Sequence, residues 1–320
     1  MNQNAVATSL ARTATPAVVT FFLAPVVGEV LSTATPLPGF LLAWLPLALL
    51  YGCGALLCRE LALRWGTGWV GLLLLGAAYG IIEEGLIVRS FFDPAWRDLG
   101  ELGIYGRSLG VNWVWTLLLI IFHLAVSIGV TIGIVEMLFP GRKHDRWLGS
   151  RGIVASSLIL VGLSGLGFFL YSPPPIYLIV AALVVVGLGV AAKMVTYDPR
   201  GEPGAEVPRP RRFFVLGLLA TFGVFATTGV GVATEVHATV TAAVMIAITV
   251  GSTVLALRWS GGTKAWDDSH RLALNAGIIA FLALINVVTL GVVGVFTAGV
   301  TAAAILWMRR RLHRRRAIAA

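Results

Sequence analysis

Charge is scarce in this chain. Of its 320 residues only 12% are charged and only 15 are acidic, where a soluble domain carries about 25% charged residues. With 58% hydrophobic residues and a mean hydropathy of +0.88, a soluble fold would lack the polar groups to cover its surface. The same composition excludes a disordered chain, and a count of two cysteines excludes a secreted disulfide scaffold. Cys53 and Cys58 share one apolar segment. On a helix they point about 140° apart, so they cannot bridge and read as small core residues. No P-loop, Rossmann glycine pattern, nucleophile elbow or soluble metallopeptidase helix motif occurs. The 37 glycines are spread through apolar runs, as helix-packing residues are.

What the chain does have is long apolar runs. Ten of them suit a hydrocarbon core about 30 Å thick: 17–34, 39–58, 68–89, 112–138, 152–171, 175–195, 213–233, 237–257, 271–289 and 291–308. The last two form one stretch too long for a single span, and we divide it near Gly291. The expected fold class is all-α: a polytopic integral membrane protein with about ten transmembrane helices, resident in the cell membrane. Ser32-Thr33-Ala34 look like a signal-cleavage site, but Glu29 interrupts the apolar run before them, so the segment is kept as a helix.

The formal net charge of +9 would suggest nucleic acid as the partner of a soluble protein. In a membrane protein its placement matters more. With the N-terminus inside, all but Arg89, Arg97 and Arg107 of the 24 Lys and Arg residues fall on the inner side. This alternation follows the positive-inside rule and puts both termini in the cytoplasm. The Arg-rich tail after Met308 then serves topology and contacts anionic lipid head groups, and no nucleic-acid partner is expected. The organisation reads as a cytoplasmic segment 1–16, a front four-helix part 17–138 and two further spans in 139–195. A Pro/Gly/charge-rich cytoplasmic linker 196–212, a rear four-helix part 213–308 and a basic cytoplasmic tail 309–320 follow.

Ionisable residues inside a span are costly and mark a pathway, a site or an internal pair. They concentrate in the front part as Glu29, Glu83, Glu84 and His123. From the helical rise, Glu29 lies roughly 12 Å, Glu83 and Glu84 roughly 6–8 Å and His123 roughly 15 Å below the outer face. The loop 90–111 lies over this layer. It and the start of the next span contain Phe91, Phe92, Trp96, Tyr105, Trp113 and Trp115, a pattern that fits an interfacial aromatic belt or a lid. Glu83 and Glu84 point about 100° apart on a helix and can both line a cavity. Tyr79 lies one turn before Glu83 and Ser127 one turn after His123, so both can support the site. Paired carboxyls beside an imidazole suit general acid–base work, and a divalent metal such as zinc would take His123 and Glu84 as ligands. The alternative is structural, with Glu–His and Glu–Arg pairs, Arg89 among them, locking helices together. Nearer the inner edge, Arg59, Glu60 and Glu136 read as an interfacial ion pair that caps the inner loops.

Glu83-Glu84 followed by Arg89-Ser90-Phe91 resembles the first motif, Glu-Glu-x-x-x-Arg, of the CAAX-protease and bacteriocin-processing family of intramembrane proteases. Phe122-His123 resembles that family's Phe-x-x-x-His motif. Arg89 stands one residue late, Leu119 takes the Phe position, and the third motif, His-x-x-x-Asn/Asp, has no counterpart. The resemblance implies water activation for peptide cleavage, with Glu83 or Glu84 as base and His123 binding metal or stabilising the oxyanion. The expected function is a membrane-embedded Glu/His hydrolase acting on a peptide or lipidic substrate. A proton- or cation-coupled transporter and a non-catalytic membrane scaffold are the alternatives. Convergence of Glu29, Glu83, Glu84 and His123 on one point favours chemistry, and separate pairing favours structure.

Overall fold

The computed structural model describes residues 16–32, 35, 37–195, 206–261 and 266–319. The N-terminal segment 1–15, the Thr33–Ala34 part of the cleavage-like triplet, residues 196–205 of the expected linker and Lys264 lie outside them. The described chain is all-α and polytopic, as the apolar runs predict. Among the described residues nine helices are long and apolar enough to cross a membrane, and a tenth is shorter. In chain order they are α1 (Pro16–Val30), α2 (Leu37–Trp65), α3 (Gly68–Ile87), α4 (Trp113–Leu138), α5 (Ser150–Phe169), α6 (Pro175–Met194), α7 (Pro210–Thr234), α8 (Ala238–Ser260), α9 (Asp268–Leu290) and α10 (Val292–Ala319). Three boundaries differ from expectation by four residues or more. α1 ends at Val30. α2 runs past residue 58 to Trp65, because Arg59, Glu60 and Arg64 find partners that keep the helix intact. α10 carries the basic tail as continuous helix, since Arg is a good helix former.

The chain divides into two compact units. The first comprises residues 1–30 and 36–197 and holds α1 to α6. Its inner helices are α3 and α4, each with 67% of its most apolar window buried, against 11% for α6. Glycine permits their approach. A Cβ on Gly76 would lie 2.9 Å from the Leu124 backbone, and one on Gly80 would lie 3.1 Å from His123 Cβ. Between α3 and α4 the chain makes a short antiparallel pair, β1 (Arg107–Ser108) and β2 (Val111–Asn112). Asn112 then caps α4 by accepting from the Trp115 backbone N–H at 2.9 Å.

The buried charges of α2 fasten the loop between α4 and α5. Arg59 donates to Glu60 at 2.9 Å and to the carbonyls of Asp145 and Lys143 at 2.6 Å each. Its guanidinium lies 3.8 Å from the centre of the Trp147 ring. Glu60, with no exposed side-chain surface, accepts from the Trp147 backbone N–H at 2.6 Å and faces Arg64. Glu136 approaches Arg59 at 3.9 Å. This is the capping ion-pair cluster that the sequence suggests.

The second unit comprises residues 31–35 and 198–320 and holds α7 to α10. α7 and α9 pack backbone to backbone: a Cβ on Gly277 would sit 2.0 Å from Phe214 O, and one on Gly217 would sit 2.4 Å from Leu274 O. A reciprocal cap between Asp267 and His270 starts α9. Gly291, at φ +55°, separates α9 from α10, where the long apolar stretch was expected to break. Removing one partner from a buried ion network costs about 3–5 kcal/mol. Glu60→Ala is therefore expected to lose that much stability, measured by equilibrium unfolding of the purified protein in detergent, while Asp98→Ala, on an exposed loop, is not.

Candidate acid–base site in the first unit

Four helices bring the candidate residues together, and each is locally widened to a π-helical turn where it does so. Val26–Val30 in α1 contains Glu29, and Ala48–Gly52 in α2 contains Tyr51. Ile82–Ile87 in α3 contains Glu83 and Glu84, and His123–Val130 in α4 contains His123 and Ser127. These are the π segments found among the described residues. Proline stands just before two of them. Pro25 directly precedes the first and Pro46 lies two residues before the second. Each removes an N–H donor and crowds the carbonyl four residues back, which disturbs the helical turn that leads into the widened one. π turns are rare and recur at functional sites.

His123 is the centre of the cluster and is 1% exposed. Its Nδ1 lies 3.0 Å from Ser127 Oγ and 3.3 Å from Glu83 Oε2. Its Nε2 lies 3.4 Å from Glu84 Oε1. One imidazole thus sits between two carboxylates, each on a different ring nitrogen. The π turn in α3 carries both of the adjacent glutamates that meet this ring. Behind Glu83, the hydroxyls of Tyr51 and Tyr79 both point at the carboxylate. Tyr79 stops short of full hydrogen-bond geometry, and its hydroxyl and Glu83 Oε2 are buried without a hydrogen-bond partner. The Tyr51 and Tyr79 rings lie 6.1 and 5.8 Å from the His123 ring. Each is seated on a glycine: a Cβ on Gly28 would meet the Tyr51 ring at 2.3 Å, and one on Gly54 the Tyr79 ring at 2.0 Å. Glu29 is buried and near enough for its charge to act on Tyr51, Tyr79 and His123.

Glu84 is the more accessible carboxylate, at 13% side-chain exposure against 2% for Glu83. Its second oxygen accepts from Ser90 Oγ at 2.5 Å, and Ser90 Oγ accepts from Trp115 Nε1 at 3.0 Å. The site is therefore tied to the root of the loop 90–111. Arg89 goes elsewhere. Buried and in the left-handed region at φ +67°, it donates to Tyr171 O at 2.6 Å and Ser164 O at 3.3 Å, and it stacks on Phe168. It thus binds carbonyls at the end of α5, where a cation is favourable, and forms no salt bridge with Glu83 or Glu84 within 4.0 Å among the described contacts. Tyr51, Ser90 and Trp115 are the members that sequence reasoning missed as site residues. Pro46, shortly before Tyr51, was the available signal for a disturbed helix there.

Glu83, Glu84 and His123 each offer one donor atom, all within 4.8 Å of one another. This carboxylate–imidazole set suits zinc. With Glu84 on the Nε2 side of the ring, Glu84 and His123 Nε2 would be the ligands. Glu83 on Nδ1 would orient the imidazole, as carboxylates beside metal-binding histidines do. With or without an ion, the arrangement can hold a proton, pass it across the imidazole, or draw one from a water at Glu84.

The chain belongs to a family described as an uncharacterized membrane protein family, whose profile matches residues 18–313. This family, rather than the CAAX-protease one, is the match. No curated protein and no solved structure matches the chain. The packing makes a direct prediction. Gly54→Ala must displace the Tyr79 ring and is expected to lower stability by about 1–3 kcal/mol. Gly187→Ala, with nothing within 4 Å of its Cβ, leaves the thermal midpoint in detergent unchanged or slightly raised.

Proposed function

We propose that the protein is a membrane-embedded Glu/His hydrolase acting on a peptide or lipidic substrate. The observation that carries this reading is His123 held between Glu83 and the partly exposed Glu84. In this reading Glu84 takes a proton from water while the hydroxide adds to the acyl carbon. The proton then passes to the leaving amine or alkoxide as the acyl bond breaks. His123 hydrogen-bonds Glu84 and steadies its charge, and Glu83 with Ser127 fixes the ring. This is the logic of a base oriented by a third group. The resemblance of Glu83-Glu84 and His123 to the CAAX-protease motifs supports the same reading. A divalent ion such as zinc is the alternative arrangement: held by Glu84 and His123 Nε2 in place of the hydrogen bond between them, it would polarise the acyl oxygen and itself make the bound water a nucleophile.

The front part 17–138 supplies this chemistry, and the rear spans serve as lipid-facing shell or partner surface. Both termini are placed in the cytoplasm on the basic-residue alternation. The helical tail then sets Arg309, Arg310, Arg311 and Arg314 against anionic head groups. Changing these four to Gln is expected to reduce phosphatidylglycerol retained by the purified protein, read by native mass spectrometry.

A second reading, a proton- or cation-coupled transporter, is favoured by one observation. Glu29, Tyr51, Glu83, Glu84 and His123 all lie on π-widened turns, as irregular helices line transporter sites. One experiment tests the first reading and a companion separates the second. Peptide and lipid extracts incubated with the protein in nanodiscs and ¹⁸O-water should yield ¹⁸O-labelled carboxyl products. Glu84→Gln and His123→Ala should each reduce them about 10²–10⁴-fold at unchanged expression. Equal labelling in wild type and both variants would sink the hydrolase. Dissipation of a pH gradient in proteoliposomes that requires Glu83 would instead identify transport.

A further inference from the structure

The loop between α3 and α4 carries a tip that the site does not use. The loop itself is a folded cap. Phe91, Phe92, Leu99 and Val111 are buried beneath it, and the Asn112 N–H donates to Phe91 O at 3.0 Å. Phe92 stacks on Tyr177 of α6 at 5.5 Å and 18°. At its end, β1 and β2 are joined by Leu109 and Gly110, both with positive φ, +51° and +75°. A two-residue hairpin turn with two positive φ values favours Asn-Gly or Gly-Gly. Leucine is a poor choice there on backbone grounds. It is also a poor choice for water, since Leu109 is 83% exposed.

The surroundings resolve this double mismatch. The one charge on the hairpin is turned inward: Arg107 donates to Phe92 O and to Gly110 O. Trp113, half exposed, donates from its indole to Ser108 O at 3.2 Å, in the posture of an interfacial tryptophan. Gly110 lies against the Tyr177 hydroxyl at the start of α6. The neighbouring α6 residues Ile176, Ile179 and Val180 are apolar and exposed, as lipid-facing residues are. Exposed charge occurs elsewhere on the loop, at Arg97, Asp98 and Glu101.

We propose that the Leu109 tip is a lipid anchor, inserting into the bilayer interface beside the start of α6 and holding the cap over Glu84. The occupant of this surface is the acyl–head-group boundary of the membrane the protein spans. The inference does not depend on hydrolysis and stands or falls separately from it.

The test uses the full chain in phosphatidylcholine nanodiscs. In a Cys53→Ala, Cys58→Ala background, an NBD fluorophore is attached at Leu109→Cys and, as a water-exposed reference, at Asp98→Cys. The anchor predicts several-fold stronger quenching of position 109 than of position 98 by lipid carrying a 5-doxyl group. It predicts the reverse order for aqueous iodide. Equal iodide quenching at both positions without doxyl quenching at 109 overturns it. Leu109→Asn in the otherwise native chain supplies a label-free measurement. Asparagine suits the turn, so a tip in water keeps or raises the thermal midpoint in nanodiscs, which would overturn the anchor. A tip in lipid lowers that midpoint.

Discussion

A charged or polar group placed in hydrocarbon must find its partners inside the protein. The first unit is organised around that requirement. His123 meets it with Glu83 on one nitrogen and Glu84 on the other, and those contacts require α3 and α4 to pack at glycine distance. Tyr51 and Tyr79 reach the same carboxylate only because Gly28 and Gly54 leave room for their rings. The glycines, the prolines and the widened turns of four helices all surround one polar cluster gathered in an apolar layer.

The cluster is not closed on every side. Glu83, with the tyrosines behind it, is buried, while Glu84 is partly exposed and hands its second oxygen to Ser90 at the root of the cap. A purely structural lock would gain most from burying both carboxylates equally. The asymmetry distinguishes an inner carboxylate from an outer, more accessible one, and it is the reason that we favour chemistry over a scaffold. Arg89 shows the contrasting case: a buried cation satisfied by carbonyl oxygens at a helix end.

Much of this was legible in the order of residues. Apolar runs about as long as a bilayer is thick marked the helices, and the positive φ of Gly291 agrees with the break proposed in the longest run. Glu83, Glu84 and His123 stood out because ionisable side chains are rare in such runs. Tyr51 did not stand out, because an aromatic residue in an apolar helix is unremarkable until its hydroxyl has a partner. Ser90 was visible only as part of a loop. Arg89 was assigned to the glutamates by proximity in sequence, but the left-handed backbone at that residue turns it toward α5. The π turns were hidden as well, since residue order reports a proline but not how far the surrounding contacts let a helix widen.

The sequence by itself determined that this is an all-helical membrane protein and that the ionisable residues within its apolar runs concentrate in the front part. Both follow from transfer free energies, which are properties of single side chains and short runs. Only the tertiary structure decided which atoms meet: two neighbouring glutamates on the two nitrogens of one imidazole, two tyrosines from different helices beside one carboxylate, and a serine from the cap on the other. Those pairings depend on helix distance and local helical pitch. Both are set by packing between segments far apart in the chain, which no local pattern encodes.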